Sequence, residues 1–329
     1  LRFQSIMDVL GKVNAHHILL LCHHNADPDA LCSAYALAKL FEEAEPDFII
    51  EIAASQGLSK LSKQILNYIP IEVVDSPHFE EADAFILLDT NTLEQLGSWK
   101  TLVEKSGKPL IVIDHHAIHP QTERVSTVYI VDERACSTCE IVFELFKKAN
   151  VRLKGREALA LFLGITYDTK HFALATSKTF KIIVELIKAG VKAEEAIPML
   201  TSVMDSSERI ARLKAAKRLR TVKMGEWLMV LSNVSSYQAS AARALLGLGS
   251  HIAVVGGERE GALVISMRAL KRFHEETGVH LGRDIAQPLG KYLRGMGGGH
   301  NTSAGVNGEG VLEDAFKECI RLLHEKLTS

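Results

Sequence analysis

The chain has 329 residues, 47% of them apolar and 24% charged, with a formal net charge of −2. That length suits two domains with sizeable cores, and near-neutral charge argues against a protein built to track long duplex nucleic acid. Five cysteines, an odd number, do not make a disulfide framework; the apolar runs are too short to span a bilayer and no secretory pattern opens the chain, so a reducing cytoplasm is expected.

In chain order, short apolar runs alternate with amphipathic stretches. Strands are expected at His17–Cys22, Phe48–Ala54, Ile71–Val74, Ala84–Thr90 and Leu110–Asp114, with a weaker one at Val128–Val131. Apolar residues on consecutive positions suggest strands covered on both faces. Between the first two, Leu31, Ala34, Leu37, Ala38 and Phe41 form one stripe of a helix. Cys136-Ser137-Thr138-Cys139 has no second C-x-x-C to complete a zinc site. Ser137 with Glu140 instead makes a capping box opening a helix over Ile141–Lys148. A further helix is expected over Arg156–Gly164, and the pattern stays helical from Ser177 to Lys223. Its end, Ser206–Lys223, carries Arg209, Arg212, Lys214, Lys217, Arg218, Arg220 and Lys223 and reads as a connector helix, either a solvated basic face or a basic wall attracting phosphates. Beyond it, strands at Trp227–Val234, Ile252–Val255 and Ala262–Met267 mix with helices at Ala239–Leu248 and Arg283–Arg294, a loop at Gly295–Gly305 and a closing helix, Leu312–Leu327. The fold class is α/β: a mostly parallel sheet with flanking helices over 1–190, a helical linker over 191–223 and a smaller α/β domain over 224–329.

Four stretches that end apolar runs carry the chemistry: His23-His24-Asn25-Ala26-Asp27-Pro28-Asp29, Leu87-Leu88-Asp89, Asp114-His115-His116 and Thr166-Tyr167-Asp168. Five carboxylates and at least two imidazoles gathered in one cleft need compensating cations, and paired divalent ions are a recurrent device for cleaving phosphate esters. Open α/β sheets place ligands at strand C-terminal ends, where most of these residues lie. His23 and Asp27 can reach one ion and Asp29 its neighbour; Asp89 is the candidate bridge, and His115 and Asp168 complete the second set. Asp114 fits behind the ligands, orienting an imidazole, and His116 faces the phosphate or leaving group. Mixed nitrogen and oxygen donors suit manganese, two ions, with zinc, cobalt, iron or a magnesium-containing pair as alternatives. His16, His17 and His24 are read as non-ligands.

The order H-x-x-x-D-x-D, strand-end Asp, D-H-H, D-T resembles the DHH phosphoesterase superfamily, and Gly297-Gly298-Gly299-His300 followed by Ala304-Gly305 resembles the signature of its DHHA1 subgroup. The resemblance implies the same metal sets: His23, Asp27 and Asp89 on one ion; Asp29, Asp89, His115 and Asp168 on the other. It also implies that Arg268 and His300, with the three glycines, grip the substrate's terminal phosphate or bases. Consecutive glycines let backbone N–H groups approach an anion. In the fourth motif Lys170 stands where the family commonly has glycine, which asks for a different local backbone.

Compact two-domain members of that family are similar to nanoRNases and phosphoadenosine-phosphate phosphatases. The expected activity is therefore a manganese-dependent phosphodiesterase releasing mononucleotides from short single-stranded oligonucleotides, RNA in the first instance. The same site suits 3′-phosphoadenosine 5′-phosphate and other nucleoside phosphates. Rivals are a RecJ-like exonuclease on single-stranded DNA, a cyclic dinucleotide phosphodiesterase, and a non-catalytic nucleic-acid-binding scaffold. No membrane partner is expected, and a homodimer is compatible with the sequence.

Overall fold

In β1 (His17–Cys22), Ile18, Leu20 and Cys22 enter one core while Leu19 and Leu21 enter another, which is why the run is apolar throughout rather than alternating. The computed structural model describes residues 2–201, 204–259 and 262–328. The chain divides into two units, Leu1–Ser202 and Val203–Ser329.

In the first unit α1 (Arg2–Lys12) leads into β1, followed by α2 (Pro28–Ala44), β2 (Ile49–Ala54), α3 (Lys60–Ile65), β3 (Ala84–Leu88), α4 (Lys100–Lys105), β4 (Leu110–Asp114), α5 (Pro120–Val125) and β5 (Val128–Val131). Four helices close the unit: α6 (Thr138–Ala149), α7 (Gly155–Asp168), α8 (Ser177–Lys188) and α9 (Ala193–Ala196). All five strands are parallel, in the order β2-β1-β3-β4-β5. One face of the sheet is covered by a core in which α2 is buried along almost its whole length and packs on α6 and α7. Leu93, Leu96, Val103, Phe79 and Trp99 cover the other. Chain direction across the sheet reverses between β1 and β3, and a reversal of this kind opens a crevice at the strand C-terminal ends.

Ile71–Val74, expected as a strand, joins no ladder. It follows Pro70, and Val74 N–H reaches Ile52 O of β2 at 2.8 Å without further pairing.

The second unit runs α10 (Ser206–Lys217), β6 (Arg220–Met224), β7 (Trp227–Asn233), α11 (Gln238–Gly247), β8 (Ile252–Arg259), β9 (Ala262–Ala269) and α12 (Lys271–Thr277). A π-helical turn, Leu281–Ala286, then enters α13 (Gln287–Tyr292), followed by β10 (Met296–Gly299), β11 (Ser303–Gly308) and α14 (Leu312–Thr328). Its mixed sheet has the order β10-β11-β9-β8-β7-β6, with only β7 and β8 parallel. Thus the helical reading of Ser206–Lys223 is correct only to Lys217. Arg220–Met224 pairs with β7 across a two-residue turn at Gly225-Glu226, where Gly225 takes φ 63°. The division between units falls inside the stretch read as a linker. The 3-10 turn Ile197–Leu200 belongs to the first unit, and α10 with β6 to the second.

The expected loop Gly295–Gly305 is largely a hairpin of β10 and β11. A side chain at Gly297 would collide with the Ala286 carbonyl, and one at Gly299, at φ 141°, with the Ser303 carbonyl. Gly297 therefore lets the hairpin lie against the π-helical turn and Gly299 lets its own two strands close; Gly298 alone of the three borders open space. Among the described residues no helix is long and apolar enough to cross a membrane.

Candidate metal centre

The strand-end residues converge at the reversal between β1 and β3. His23 follows β1, and Asp27 is the N-cap of α2, its Oδ1 accepting from the N–H groups of Asp29 and Ala30 at 3.0 and 3.2 Å. A capping aspartate and a metal ligand are thus compatible roles, because a carboxylate keeps further lone pairs. His23 Nε2 lies 3.9 Å from Asp27 Oδ1 and 3.7 Å from Asp89 Oδ2. Its Nδ1 sits 2.8 Å from the His24 carbonyl, which can only accept. The ring proton of neutral His23 is therefore on Nδ1, and the lone pair of Nε2 faces two carboxylates.

Asp89, just past β3, is 3% exposed and takes φ 59°, the left-handed region that L-residues seldom occupy. Its N–H donates to Ile113 O at 3.1 Å. While Oδ2 faces His23, Oδ1 faces His115 Nε2 at 3.4 Å. That nitrogen also lies 3.0 Å from Asp168 Oδ2, yet it is buried and makes no hydrogen bond. Asp29, fully buried, completes this second group. Asp168 is the last residue of α7, where the helix dipole disfavours a negative charge.

Two groups of donors thus adjoin, His23–Asp27–Asp89 and Asp29–His115–Asp168, each with its donor atoms within 4.8 Å of one another. A third grouping of Asp89, Asp114, His115 and His116 overlaps them. Asp114 Oδ1 accepts from the His115 backbone N–H and lies 2.8 Å from His116 Nδ1. Asp114 therefore orients His116 rather than the His115 ring, and the His116 side chain is 58% exposed toward solvent.

The protonation of these groups is set by their burial and by one another's charges. Burial and the charges of Asp89 and Asp168 push the Asp29 carboxyl well above its usual range. Burial and then Asp89 raise Asp168 also. Against full burial, the imidazoles of His115 and His23 hold Asp89 below the usual carboxylate range. Against their own burial, Asp27 and Asp89 raise His23 to about 10, while Asp168 and Asp89 raise His115 to about 11. The Asp114 hydrogen bond raises His116. Without a cation the negative charge of the cluster is balanced by protons on His23 and His115, groups that could otherwise offer lone pairs to a metal. The unbonded Nε2 of His115, the lone pair of His23 and the mixed donor set all fit divalent ions.

The remaining expected residues lie in the second unit. Arg268 is half-buried on β9 opposite Ser303 of β11, and its guanidinium donates to the Met267 carbonyl at 2.8 Å. Burial and then the charge of Arg243 lower its pKa. His300 is exposed in the turn between β10 and β11. Arg212 of the basic helix is engaged by Glu208 and Ser240, and Arg220 by Glu313. One residue beside the metal groups escaped the sequence reading. Thr138, in the first turn of α6, donates its hydroxyl to Asp89 Oδ1 at 2.9 Å; its only sequence signal is the capping box, which marks a helix start and not what that start touches.

Lys170 does not take a different backbone from glycine. It sits at φ 50°, followed by His171 at 56° and Phe172 at 70°.

The model of the DHH family's N-terminal domain matches residues 17–165. An uncharacterized protein of Methanocaldococcus jannaschii is 35% identical over 324 residues, covering 97% of each chain. The probable bifunctional oligoribonuclease and PAP phosphatase NrnA of Streptococcus mutans is 26% identical over 335 residues, 96% of this chain and 98% of that one. Among solved structures, an exopolyphosphatase-related protein from Bacteroides fragilis superposes with a TM-score of 0.69 at 19% identity, covering 99% and 97%, and shares the fold. The domain match spans every strand of the parallel sheet, and the relationship at 35% identity runs through nearly the whole chain; this protein belongs to the DHH family.

Proposed function

We propose that the chain is a two-metal phosphodiesterase that shortens oligonucleotides of a few residues, RNA in the first instance, from one end, and that the same site dephosphorylates 3′-phosphoadenosine 5′-phosphate. The observation that carries this reading is the placement of Asp89, with one oxygen facing His23 and the other facing His115, between two adjoining donor groups. Two manganese ions would be held by His23, Asp27 and Asp89 and by Asp29, Asp89, His115 and Asp168. When bound they supply Lewis acidity and neutralise charge developing on the phosphoryl group.

The chain's own residues then bind and orient. The Asp114 carboxylate at His116 Nδ1 favours the protonated ring, whose Nε2–H would donate to a phosphate oxygen or the departing oxygen. Arg268 and His300, with the open backbone at Gly298, offer an anion and a base a grip in the second unit. A net charge of −2 favours short substrates held at their ends over long tracks of phosphate contacts. The Streptococcus mutans relative, similar over almost its full length, is named for both activities.

The test is incubation with manganese and end-labelled di- to pentaribonucleotides, with DNA counterparts and 3′-phosphoadenosine 5′-phosphate in parallel. Mononucleotide release from RNA is the expected result. Binding without turnover would overturn the enzyme reading in favour of a scaffold, and cleavage of long single-stranded DNA alone would favour the RecJ-like alternative.

A further inference from the structure

The Cys136-Ser137-Thr138-Cys139 stretch is neither a redox pair nor a zinc half-site. Its cysteines are free: Cys136 Sγ lies 3.5 Å from the Leu174 carbonyl, whereas Cys139 is buried with Sγ 3.7 Å from the Asp29 carbonyl. What the stretch builds is the first turn of α6, and that turn is aimed at the metal groups. Its three N–H groups without a helical partner all find oxygen. Thr138 N–H donates to Asp29 Oδ2 at 2.6 Å, Cys139 N–H to Asp29 Oδ1 at 3.0 Å, and Glu140 N–H to Ser137 Oγ at 3.2 Å. Glu140, expected to close the capping box on Ser137, reaches the Cys136 N–H instead.

The Thr138 side chain adds a contact of another kind. Thr138 is fully buried, and an ionised carboxylate can only accept, so the hydroxyl proton is committed to Asp89 Oδ1. Asp89 needs such a restraint. Its backbone is left-handed, and its carboxylate is useful only if the two oxygens face opposite donor groups. Close packing enforces the arrangement from α7. A side chain at Gly164 would collide with Cys139 Sγ and stand 2.9 Å from Asp29 Oδ1. Gly164 lies one helical turn before Asp168, on the same face of α7.

We propose that Thr138 is a positioning residue of the metal centre: its hydroxyl fixes the rotation of Asp89 so that one oxygen faces each donor group. This rests on the two-metal reading above. Hydrogen-bond partners behind metal ligands hold those ligands in their binding orientation, and here a single buried hydroxyl does so for the carboxylate shared by both sets.

The experiment is manganese titration of the full chain by calorimetry, with no substrate present, on the wild type, Thr138→Val, Thr138→Ala and Thr138→Ser. Valine keeps the shape and removes the donor, alanine removes both without adding bulk, and serine restores the donor. The expected result is affinity weakened about 10- to 100-fold in the valine and alanine variants, at unchanged stoichiometry, with serine close to wild type. Wild-type affinity in Thr138→Val or Thr138→Ala overturns the positioning role while leaving the two-metal reading intact. Serine as weak as alanine also overturns it, and does so even if the valine variant does not fold. A wild type that binds no manganese overturns the two-metal reading itself, and the role of Thr138 with it.

Discussion

The two units carry their signature residues for different physical reasons. At the end of β3, Asp89 is buried, charged and left-handed, three conditions each unfavourable to folding. In β10, Gly297 and Gly299 are where packing requires them, since any side chain would strike the π-helical turn or the neighbouring strand. The first cluster makes the fold harder, and bound cations would account for it; the second makes the fold work. Local strain of this kind accumulates where a site must hold a geometry that folding alone would not choose. Of that glycine run only Gly298 borders open space, and His300 beside it is exposed.

The largest effect expected from breaking this contrast is at Asp89. Asp89→Ala should bring turnover on short RNA below detection and remove manganese from both sets of donors, read by activity and by metal content after dialysis. Asp89→Asn tolerates the left-handed backbone, so it should keep the wild-type fold by circular dichroism and still lose metal. Full occupancy in either variant would show that Asp89 is not the shared ligand.

In the second unit the expected loss is of stability. Gly297→Ala should destabilise by about 3 kcal/mol, the upper end for overpacking, because a backbone carbonyl cannot move aside as a side chain can. Gly298→Ala, facing open space, should stay within about 0.5 kcal/mol of wild type, while raising KM for RNA if substrate approaches that backbone. Urea unfolding of both variants, with manganese binding as a control, separates the cases. Equal destabilisation would remove the distinction drawn between the two glycines.

The parallel sheet was legible because burial on both faces writes itself as an uninterrupted apolar run, as at Leu110–Asp114. Asp27, Asp89 and the D-H-H stretch could be placed at strand ends for the same reason. The second sheet hides its edges. In Arg220–Met224 only Met224 is buried, with Val222 half-buried, so the basic stretch reads as more of the helix before it, and Met296–Gly299 has almost no side chains to form a pattern. Thr138 was beyond reach because its contact with Asp89 joins positions 49 residues apart. Lys170 was misjudged because a positive φ was taken to demand glycine, whereas the turn after Asp168 holds three larger residues in that region.

A smaller effect follows from the protons that balance the charge cluster. His23 and His115, raised to about 10 and 11, are protonated at neutral pH when no cation is bound, and each must lose its Nε2 proton to bind one. Manganese affinity should therefore increase with pH across the neutral range, by about tenfold per pH unit for each proton released. Calorimetry in two buffers of different ionisation enthalpy counts those protons directly. Affinity that stays level with pH would mean that the imidazoles are not the ligands.

The smallest effect is at Lys170, and it asks whether strain near the metal groups is always functional. An L-residue in the left-handed region costs about 1–2 kcal/mol relative to glycine, while glycine costs about 0.5–1 kcal/mol through the freedom it gains in the unfolded chain. Lys170 is exposed at φ 50°, so Lys170→Gly should stabilise the protein by about 0.5 kcal/mol, read from the urea midpoint. Manganese affinity should not move, because Lys170 belongs to none of the donor groups. If KM for RNA rises in the same variant, the strain at Lys170 serves substrate binding, as the strain at Asp89 would serve the ions of the two-metal reading. If KM holds while stability increases, the left-handed turn after Asp168 is shaped by the chain alone, and in that one segment the first unit resembles the second.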